Sequence, residues 1–147
     1  MDLSKFTERS RGFVQAAQTI AMREDHQKLA PEHILKALMD DSEGLASNLI
    51  KRAGGAPARV VEALDVAMAK IPRVSGDTGQ TYLDGQTAKV LAEAEKLATK
   101  AGDSFVPVER ILTALAVVKS AAKDALEAGA ITAQKLNEAI SPGVRSG

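Results

Sequence analysis

The sequence has no cysteine and no tryptophan, and only 3% of its residues are aromatic. The lack of cysteine excludes disulfides and thiolate zinc sites and is typical of proteins in a reducing cytoplasm. So few aromatic side chains leave no platform on which nucleic-acid bases could stack. We therefore expect a cytoplasmic protein without disulfides or a thiolate metal site.

An excess of charge of either sign is also missing. Lysine plus arginine and aspartate plus glutamate number 19 each among 147 residues, so the formal net charge is zero. There is no basic stripe of the kind that neutralises phosphates. No stretch approaches the roughly 20 apolar residues that cross a bilayer, and residues 1–5 do not resemble the start of an export signal. Neither a nucleic acid nor a membrane is expected as a partner.

Residues that favour helices are abundant. Alanine is frequent and runs of β-branched residues are short, which favours helix over sheet. Apolar side chains recur at helical spacing in eight segments separated by polar or glycine-containing turns. Residues suited to helix starts precede several segments, namely Thr7, Pro31, Pro57, Pro107 and Thr132. The predicted fold class is all-α with eight helices.

The sequence also repeats itself. Residues of the first half match residues 77 positions later, and the offset becomes 76 after residue 49. Glu32 aligns with Glu109, and the N-cap Thr7 aligns with Asp84. A repeat of this length cannot bury a complete core alone, so the two copies are expected to share one. The sequence predicts two four-helix units with pseudo-twofold symmetry.

The boundaries of the units follow from the same pattern. Unit one covers residues 4–71 and unit two covers residues 84–140. The polar stretch at 72–83 predicts a linker, and it is punctuated by Pro72, Gly76 and Gly79. Residues 141–147 do not continue a helix and are either a natural end or residues added in cloning.

No recognised arrangement of catalytic residues is present. The glycines between residues 76 and 85 lack the Gly-Lys-Ser/Thr ending of a phosphate-binding loop. No serine has a Gly-x-Ser-x-Gly context. His26 and His33 are too few for a metal site, and we expect both on the solvated surface. We therefore expect no catalysis, cofactor or metal, and a free-standing enzyme is the weakest hypothesis.

Three polar residues are candidates for binding, although each has a structural explanation. Thr7 can cap the first helix. Asp103, in the turn after Gly102, can bond its own backbone. Glu109 lies in the first turn of the helix after Pro107, near the positive end of the helix dipole. For all three, the residues alone favour the structural role.

A longer ordered set of motifs runs through both units. It comprises Phe6-Thr7, Pro-Glu-His-Ile-Leu-Lys-Ala-Leu at 31–38, Gly-Asp-Ser-Phe at 102–105 and Glu-Arg-Ile-Leu-Thr-Ala-Leu at 109–115. Over residues 1–140 this set resembles the Clp amino-terminal (repeat) domain. The stretch Ile-Pro-Arg-Val-Ser-Gly at 71–76 is most similar to the ClpB branch of the family.

The resemblance implies a function that composition alone does not. The parent protein would be an ATP-driven hexamer that threads aggregated polypeptides through a central pore and cooperates with the DnaK system. This domain, monomeric in isolation, would recognise unfolded or aggregated polypeptide at the pore entrance, with the ATPase modules outside the sequence. An adaptor-docking regulatory module of the ClpA or ClpC protease branch is the alternative.

The resemblance also implies site residues. The family's polar positions fall on Thr7, Asp103 and Glu109. Its apolar substrate groove falls on Val90, Glu93, Leu97 and Arg110. Glu93 and Arg110 depart from the apolar pattern, and their opposite charges would allow them to pair across the groove.

Overall fold

The computed structural model describes residues 2–74 and 81–140. Over these residues the chain forms eight helices, which confirms the predicted all-α class. The helices are α1 Glu8–Arg23, α2 Pro31–Met39, α3 Leu45–Arg52, α4 Pro57–Ala69, α5 Gly85–Ala101, α6 Val108–Val117, α7 Ala121–Ala128 and α8 Ala133–Ile140.

Helix starts follow the chemistry of their first residues. The Thr7 side chain accepts a hydrogen bond from the Ser10 amide at 3.1 Å, as an N-cap does. Pro31 and Pro57 occupy the first helical positions, where the missing proline N–H costs nothing. Pro107 differs slightly from the prediction, because it precedes α6 as its N-cap and the helix begins at Val108.

Helices of the second half begin at a fixed distance from those of the first. The first offset found in the sequence separates the start of α5 from that of α1, and the start of α6 from that of α2. The second, shorter offset separates the start of α7 from that of α3, and the start of α8 from that of α4. Each of the eight helices therefore has a counterpart at the position that a tandem repeat predicts.

Two short backbone pairings join the halves, and the sequence did not predict them. Strand β1, Lys28–Leu29, pairs in parallel with strand β2, Tyr82–Leu83. An isolated parallel bridge joins Phe6 to Val106. The two pairings are counterparts, since the offset of the repeat places Leu83 opposite Phe6 and Val106 opposite Leu29 in the alignment of the halves. Strands of this length are too short to show an alternating pattern.

One hydrophobic core serves both halves. Within the units α1 packs on α2 and α5 packs on α6, while α4 of the first half packs on α7 of the second. The contact near Gly129 is so close that a Cβ there would collide with the Val60 side chain, and the Gly129 carbonyl accepts from the Ala56 amide at 2.9 Å. Buried Ile34, Leu35, Ile111 and Leu112 lie in the shared core, so the units stabilise each other.

Parts of the predicted linker lie against unit one. The Val74 amide donates to the Asp25 carbonyl at 2.9 Å, and the Tyr82 amide donates to the Gln27 carbonyl at 2.9 Å. Residues 75–80, with the predicted linker glycines 76 and 79, and the predicted tail at 141–147 lie outside the described residues.

Candidate functional site

The seam between α1 and α6 brings several candidate residues together. The Thr7 amide donates to the Val106 carbonyl at 3.1 Å, and the Ser10 hydroxyl donates to the same oxygen at 2.9 Å. The Val106 amide in turn donates to the Lys5 carbonyl at 2.8 Å. Thr7 is therefore tied by its backbone to the loop before α6 while its side chain caps α1. We call the surface around Thr7 and this loop the unit-two seam.

Asp103 and Arg110 form an ion pair at this seam. Arg110 Nε donates to Asp103 Oδ2 at 3.1 Å, and only 8% of Arg110 is exposed. Gly102 ends α5 in a left-handed conformation, with φ of 84°, and this turn directs Asp103 back toward the first turn of α6. Arg110 therefore pairs with Asp103, and among the ion pairs of residues 2–74 and 81–140 none joins it to Glu93.

Glu109 is half-buried in the first turn of α6. Its backbone carbonyl accepts from the Thr113 hydroxyl at 2.9 Å. The carboxylate lies near the positive end of the helix dipole, which stabilises negative charge. The structure thus retains both interpretations of Glu109, as a helix-terminus charge and as a binding residue.

Residues of the predicted groove on α5 differ in access. Val90 is fully buried in the core, whereas Glu93 and Leu97 are half-buried. Leu97 packs against the core cluster from its edge. A ligand on this surface could touch Glu93 and Leu97 but could not reach Val90 without displacing core side chains.

An exposed aromatic side chain lies beside these residues. Phe105 is 56% exposed although it precedes the buried Val106. It follows the turn that holds Asp103 and adjoins the strand-like contact with Phe6. Phe105 belongs to a motif of the sequence, but only the structure shows that its ring faces outward.

The predicted exposure of the two histidines is wrong. His26 and His33 were expected on the surface, but their exposures are 3% and 0%. His26 Nδ1 lies 2.8 Å from His33 Nε2, and His33 Nδ1 accepts from the Ala30 amide at 3.0 Å. The turn after α1 explains the error, since Asp25 adopts a φ of 58° and folds His26 back over the start of α2.

Burial determines the charge of these side chains. Loss of hydration, with the neighbouring His26 acting in the same direction, lowers the pKa of His33 to about 4. Loss of hydration also lowers the pKa of His26. Burial raises the pKa of Glu32, with the nearby charge of Asp84 acting in the same direction. Both histidines are therefore neutral at pH 7.

A cavity of about 620 Å³ lies beside the β1–β2 pair. The sequence did not predict it. Its walls come from the starts of α2 and α7, the end of α4 and the residues around β1 and β2. The lining residues are Gln27, Lys28, Ala30, Glu32, Ala63, Val66, Ala67, Lys70, Ile71, Pro72, Val74, Tyr82, Asp84, Gln86, Ala121, Asp124 and Ala125.

In residues 2–74 and 81–140, no group of three or more histidine, aspartate or glutamate side chains is arranged to hold a metal ion. None of the helices in these residues is long and apolar enough to cross a membrane.

Comparisons with known proteins give one consistent result. The family model of the Clp repeat (R) N-terminal domain matches residues 5–129. The chaperone protein ClpB of Rhodopseudomonas palustris is 54% identical over 143 residues, which are 96% of this chain and 16% of that protein. This chain therefore spans about a sixth of the length of the curated relatives it matches.

Solved structures agree with the family match. The N-terminal domain of Hsp104 from Candida albicans superposes with a TM-score of 0.82 at 22% identity, covering 97% of this chain and 92% of that one. The ClpV N-domain in complex with a VipB peptide gives a TM-score of 0.75 at 18% identity, covering 96% and 90%. By fold and by sequence, the chain belongs to the Clp repeat N-terminal domain family.

Proposed function

We propose that this chain is the substrate-recognition module of a ClpB-type disaggregase. The observation that carries the proposal is the 54% identity to a ClpB protein over nearly the whole chain. In this proposal the domain binds unfolded or aggregated polypeptide at the pore entrance of an ATP-driven hexamer in the cytoplasm, where the DnaK system cooperates. The domain itself performs no catalysis.

The unit-two seam is the proposed binding surface. The exposed Phe105 offers apolar contact, and the partly exposed Asp103 and Glu109 beside it offer charge. Such a surface suits extended chains with exposed apolar residues, because aromatic anchors beside polar groups are typical of binding sites. Affinity should be weak, since a shallow surface must offset the entropy lost on association.

The adaptor-docking alternative has less support. The ClpV N-domain, which has the same fold, is solved with a VipB peptide, so a defined partner is compatible with this architecture. However, relatives at about half identity carry the ClpB name, whereas this fold neighbour is only 18% identical. We therefore favour recognition of unfolded chains over docking of one folded adaptor.

An NMR titration tests the proposal. The ¹⁵N-labelled domain is titrated with reduced, carboxymethylated α-lactalbumin, which is permanently unfolded, and with the native protein as a control ligand. We expect saturable amide shifts near residues 103–110 with the unfolded ligand alone. Phe105→Ala should weaken them, whereas Met22→Ala, at a similarly exposed residue on α1, should not. Equal responses to native and unfolded ligand, or none, would contradict the proposal.

A further inference from the structure

Residues that follow α4 are bonded to the turn between α1 and α2. The Val74 amide donates to the Asp25 carbonyl, and the Tyr82 amide donates to the Gln27 carbonyl, each at 2.9 Å. We call residues 72–74 together with strand β2 the strap. Side chains of the strap also line the cavity beside the β1–β2 pair, so the strap forms part of the cavity wall.

His26 lies between the two carbonyls that hold the strap. Its ring is buried against His33, and Nδ1 of His26 is 2.8 Å from Nε2 of His33. Because the Ala30 amide donates to Nδ1 of His33, the proton of a neutral His33 is on Nε2 and points at His26. The contact therefore requires an unprotonated Nδ1 on His26.

A proton added to either ring would break this contact. An imidazolium has an N–H at both ring nitrogens, so a charged His26 would turn a second N–H toward the Nε2–H of His33. A charged His33 would turn one toward the Ala30 amide. The rings are too deeply buried and closely packed to rotate in place, so the turn itself must move. The carbonyls of residues 25 and 27 move with it, and the strap loses its acceptors.

The charges that act on the two rings come from the turn, from α2 and from the strap. Loss of hydration is the largest influence and lowers the pKa of both rings. Glu24 and Asp25 of the turn favour the charged form of His26. Arg73 of the strap opposes that form, and each histidine lies beside the other. Both rings therefore resist a proton while they are buried and accept one when the turn opens.

Glu32 precedes His33 in α2 and titrates with the opposite sign. Burial raises the pKa of Glu32, so its carboxyl takes up a proton more readily in the closed state than in water. Its titration therefore favours the closed state as the pH falls. A loosening of the strap on acidification cannot come from Glu32.

Unit two has the same backbone contact without histidines. The Asp84 amide, directly after the strap, donates to the Leu29 carbonyl at 3.2 Å, and its counterpart, the Thr7 amide, donates to the Val106 carbonyl at 3.1 Å. An ion pair of aspartate and arginine stands there at the positions of the two histidines. Both partners of such a pair keep their charges between pH 5 and 7.5. The Thr7 amide is therefore a control within the same molecule.

We propose that the His26–His33 pair is a proton-operated latch, which holds the strap against unit one while both rings are neutral and releases it when either ring is protonated. Release opens one wall of the cavity and leaves the unit-two seam in place. The latch acts on unit one alone, because both histidines of the chain belong to that unit.

Hydrogen exchange of the backbone amides, followed by NMR on the ¹⁵N-labelled domain at pH 7.5 and 5, tests the latch. Protection factors are compared, since they remove the intrinsic pH dependence of exchange. The pKa of His33 is about 4 in the closed state and has its ordinary value of 6.5 in water, so acidification to pH 5 should favour opening about thirtyfold. The protection factors of the Val74, Tyr82 and Asp84 amides should fall by this ratio, whereas that of Thr7 should not change.

Two variants separate the latch from other causes. The glutamine of His33→Gln does not titrate, so the strap amides should keep their protection at pH 5. Arg73→Met removes the ion pair of the strap, in which Arg73 Nη2 lies 2.6 Å from Glu24 Oε1. It should lower protection at both pH values and leave the response to acid in place. The comparison of strap amides with Thr7 needs no variant, so it tests the latch even where a variant does not fold.

The fluorescence of Tyr82 gives a second measurement, because it is the only tyrosine and the chain has no tryptophan. Its anisotropy should fall between pH 7.5 and 5 as the strap is released, and should stay constant in His33→Gln. Strap amides whose protection does not change between pH 7.5 and 5 would overturn the proposal. An equal loss at the Thr7 amide, or an unchanged response in His33→Gln, would overturn it as well.

Discussion

Two residue pairs occupy equivalent positions in the two units but have different chemistry. In the alignment of the two halves, His26 and His33 of unit one correspond to Asp103 and Arg110 of unit two. The backbone around them is the same, because the His26 amide donates to the Ala21 carbonyl and the Asp103 amide to the Ala98 carbonyl, each at 2.8 Å. The two units therefore share the backbone turn but differ in the side chains that pack across it.

Protonation separates the two pairs. A backbone amide only donates, so His33 Nδ1, which accepts from Ala30, carries no proton. Neutral His33 therefore has its proton on Nε2 and donates it to His26 Nδ1. An added proton on either ring would break this chain of hydrogen bonds. The ion pair of unit two has no such restriction near pH 7, because a guanidinium and a carboxylate are both charged there.

The two turns also have different roles. In unit one both side chains are buried and the turn is closed. In unit two Asp103 remains partly exposed, with 31% of its side chain accessible, and Phe105 lies outward beside it. Unit two thus presents a charged and apolar surface where unit one has only a structural contact.

Acidification should produce the largest difference between the units. The folded pKa of His33, about 4, lies below its ordinary value of 6.5. The unfolded chain therefore takes up the proton first, so stability is complete above pH 6.5 and falls as the pH drops toward 4. We expect a loss of about 2 kcal/mol between pH 7.5 and 5, measured by urea unfolding.

A matched variant isolates this effect from other titrations. The glutamine of His33→Gln can accept from Ala30 and donate to His26 without titrating, so most of the pH dependence should disappear. Glu24, Asp25 and Arg73 also act on His26 and stay unchanged in the variant. Stability that is flat from pH 7.5 to 5 in the unsubstituted chain would contradict the buried neutral pair.

Breaking the ion pair of unit two should have the next largest effect. Asp103→Ala leaves the Arg110 guanidinium, only 8% exposed, without its carboxylate. We expect a loss of about 1 to 2 kcal/mol, reduced from the cost of a fully buried pair because Asp103 is partly hydrated. Arg110→Met should cost less, since the remaining carboxylate can turn to water. Urea unfolding at pH 7 measures both, and equal losses would contradict this asymmetry.

Helix caps give the smallest expected difference. Thr7 and Asp84 are counterparts, but only the Thr7 side chain accepts from an amide of the helix it precedes. Thr7→Ala should therefore cost about 1 kcal/mol, whereas Asp84→Ala should cost only a few tenths. If Thr7→Ala leaves the free energy of unfolding unchanged but weakens binding of the unfolded ligand, the hydroxyl acts in binding rather than as a cap.

Local chemistry explains what the sequence could predict. The starts of three helices are set by Thr7, Pro31 and Pro57 through contacts within a few residues. The sequence could therefore predict the caps, and with them the repeat. The positive φ of Asp25 folds His26 back toward α2, and the repeat carries a signal for it, because Asp25 aligns with Gly102, whose φ is also positive. Asp103 was not predicted as the partner of Arg110, although the two residues align with His26 and His33 of unit one.

Contacts between distant elements explain the rest. The cavity forms where α4 and α7 meet beside β1 and β2, so no single stretch of sequence contains it. Val90 has the apolar character expected of a groove residue, but only packing shows that it is fully buried. In the alignment of the two halves, His26 and His33 stand at the positions of Asp103 and Arg110. A contact within one of these pairs therefore implies a contact within the other.

Long-range ¹H–¹⁵N NMR of the histidine rings tests the central comparison most directly, because the chain has only two histidines. At pH 7 we predict both rings neutral with the proton on Nε2, and on acidification a midpoint of about 4 for His33. Asp103→Ala should leave this spectrum unchanged, since the pairs are separate. Two rings that titrate freely near their ordinary value of 6.5 would contradict the account.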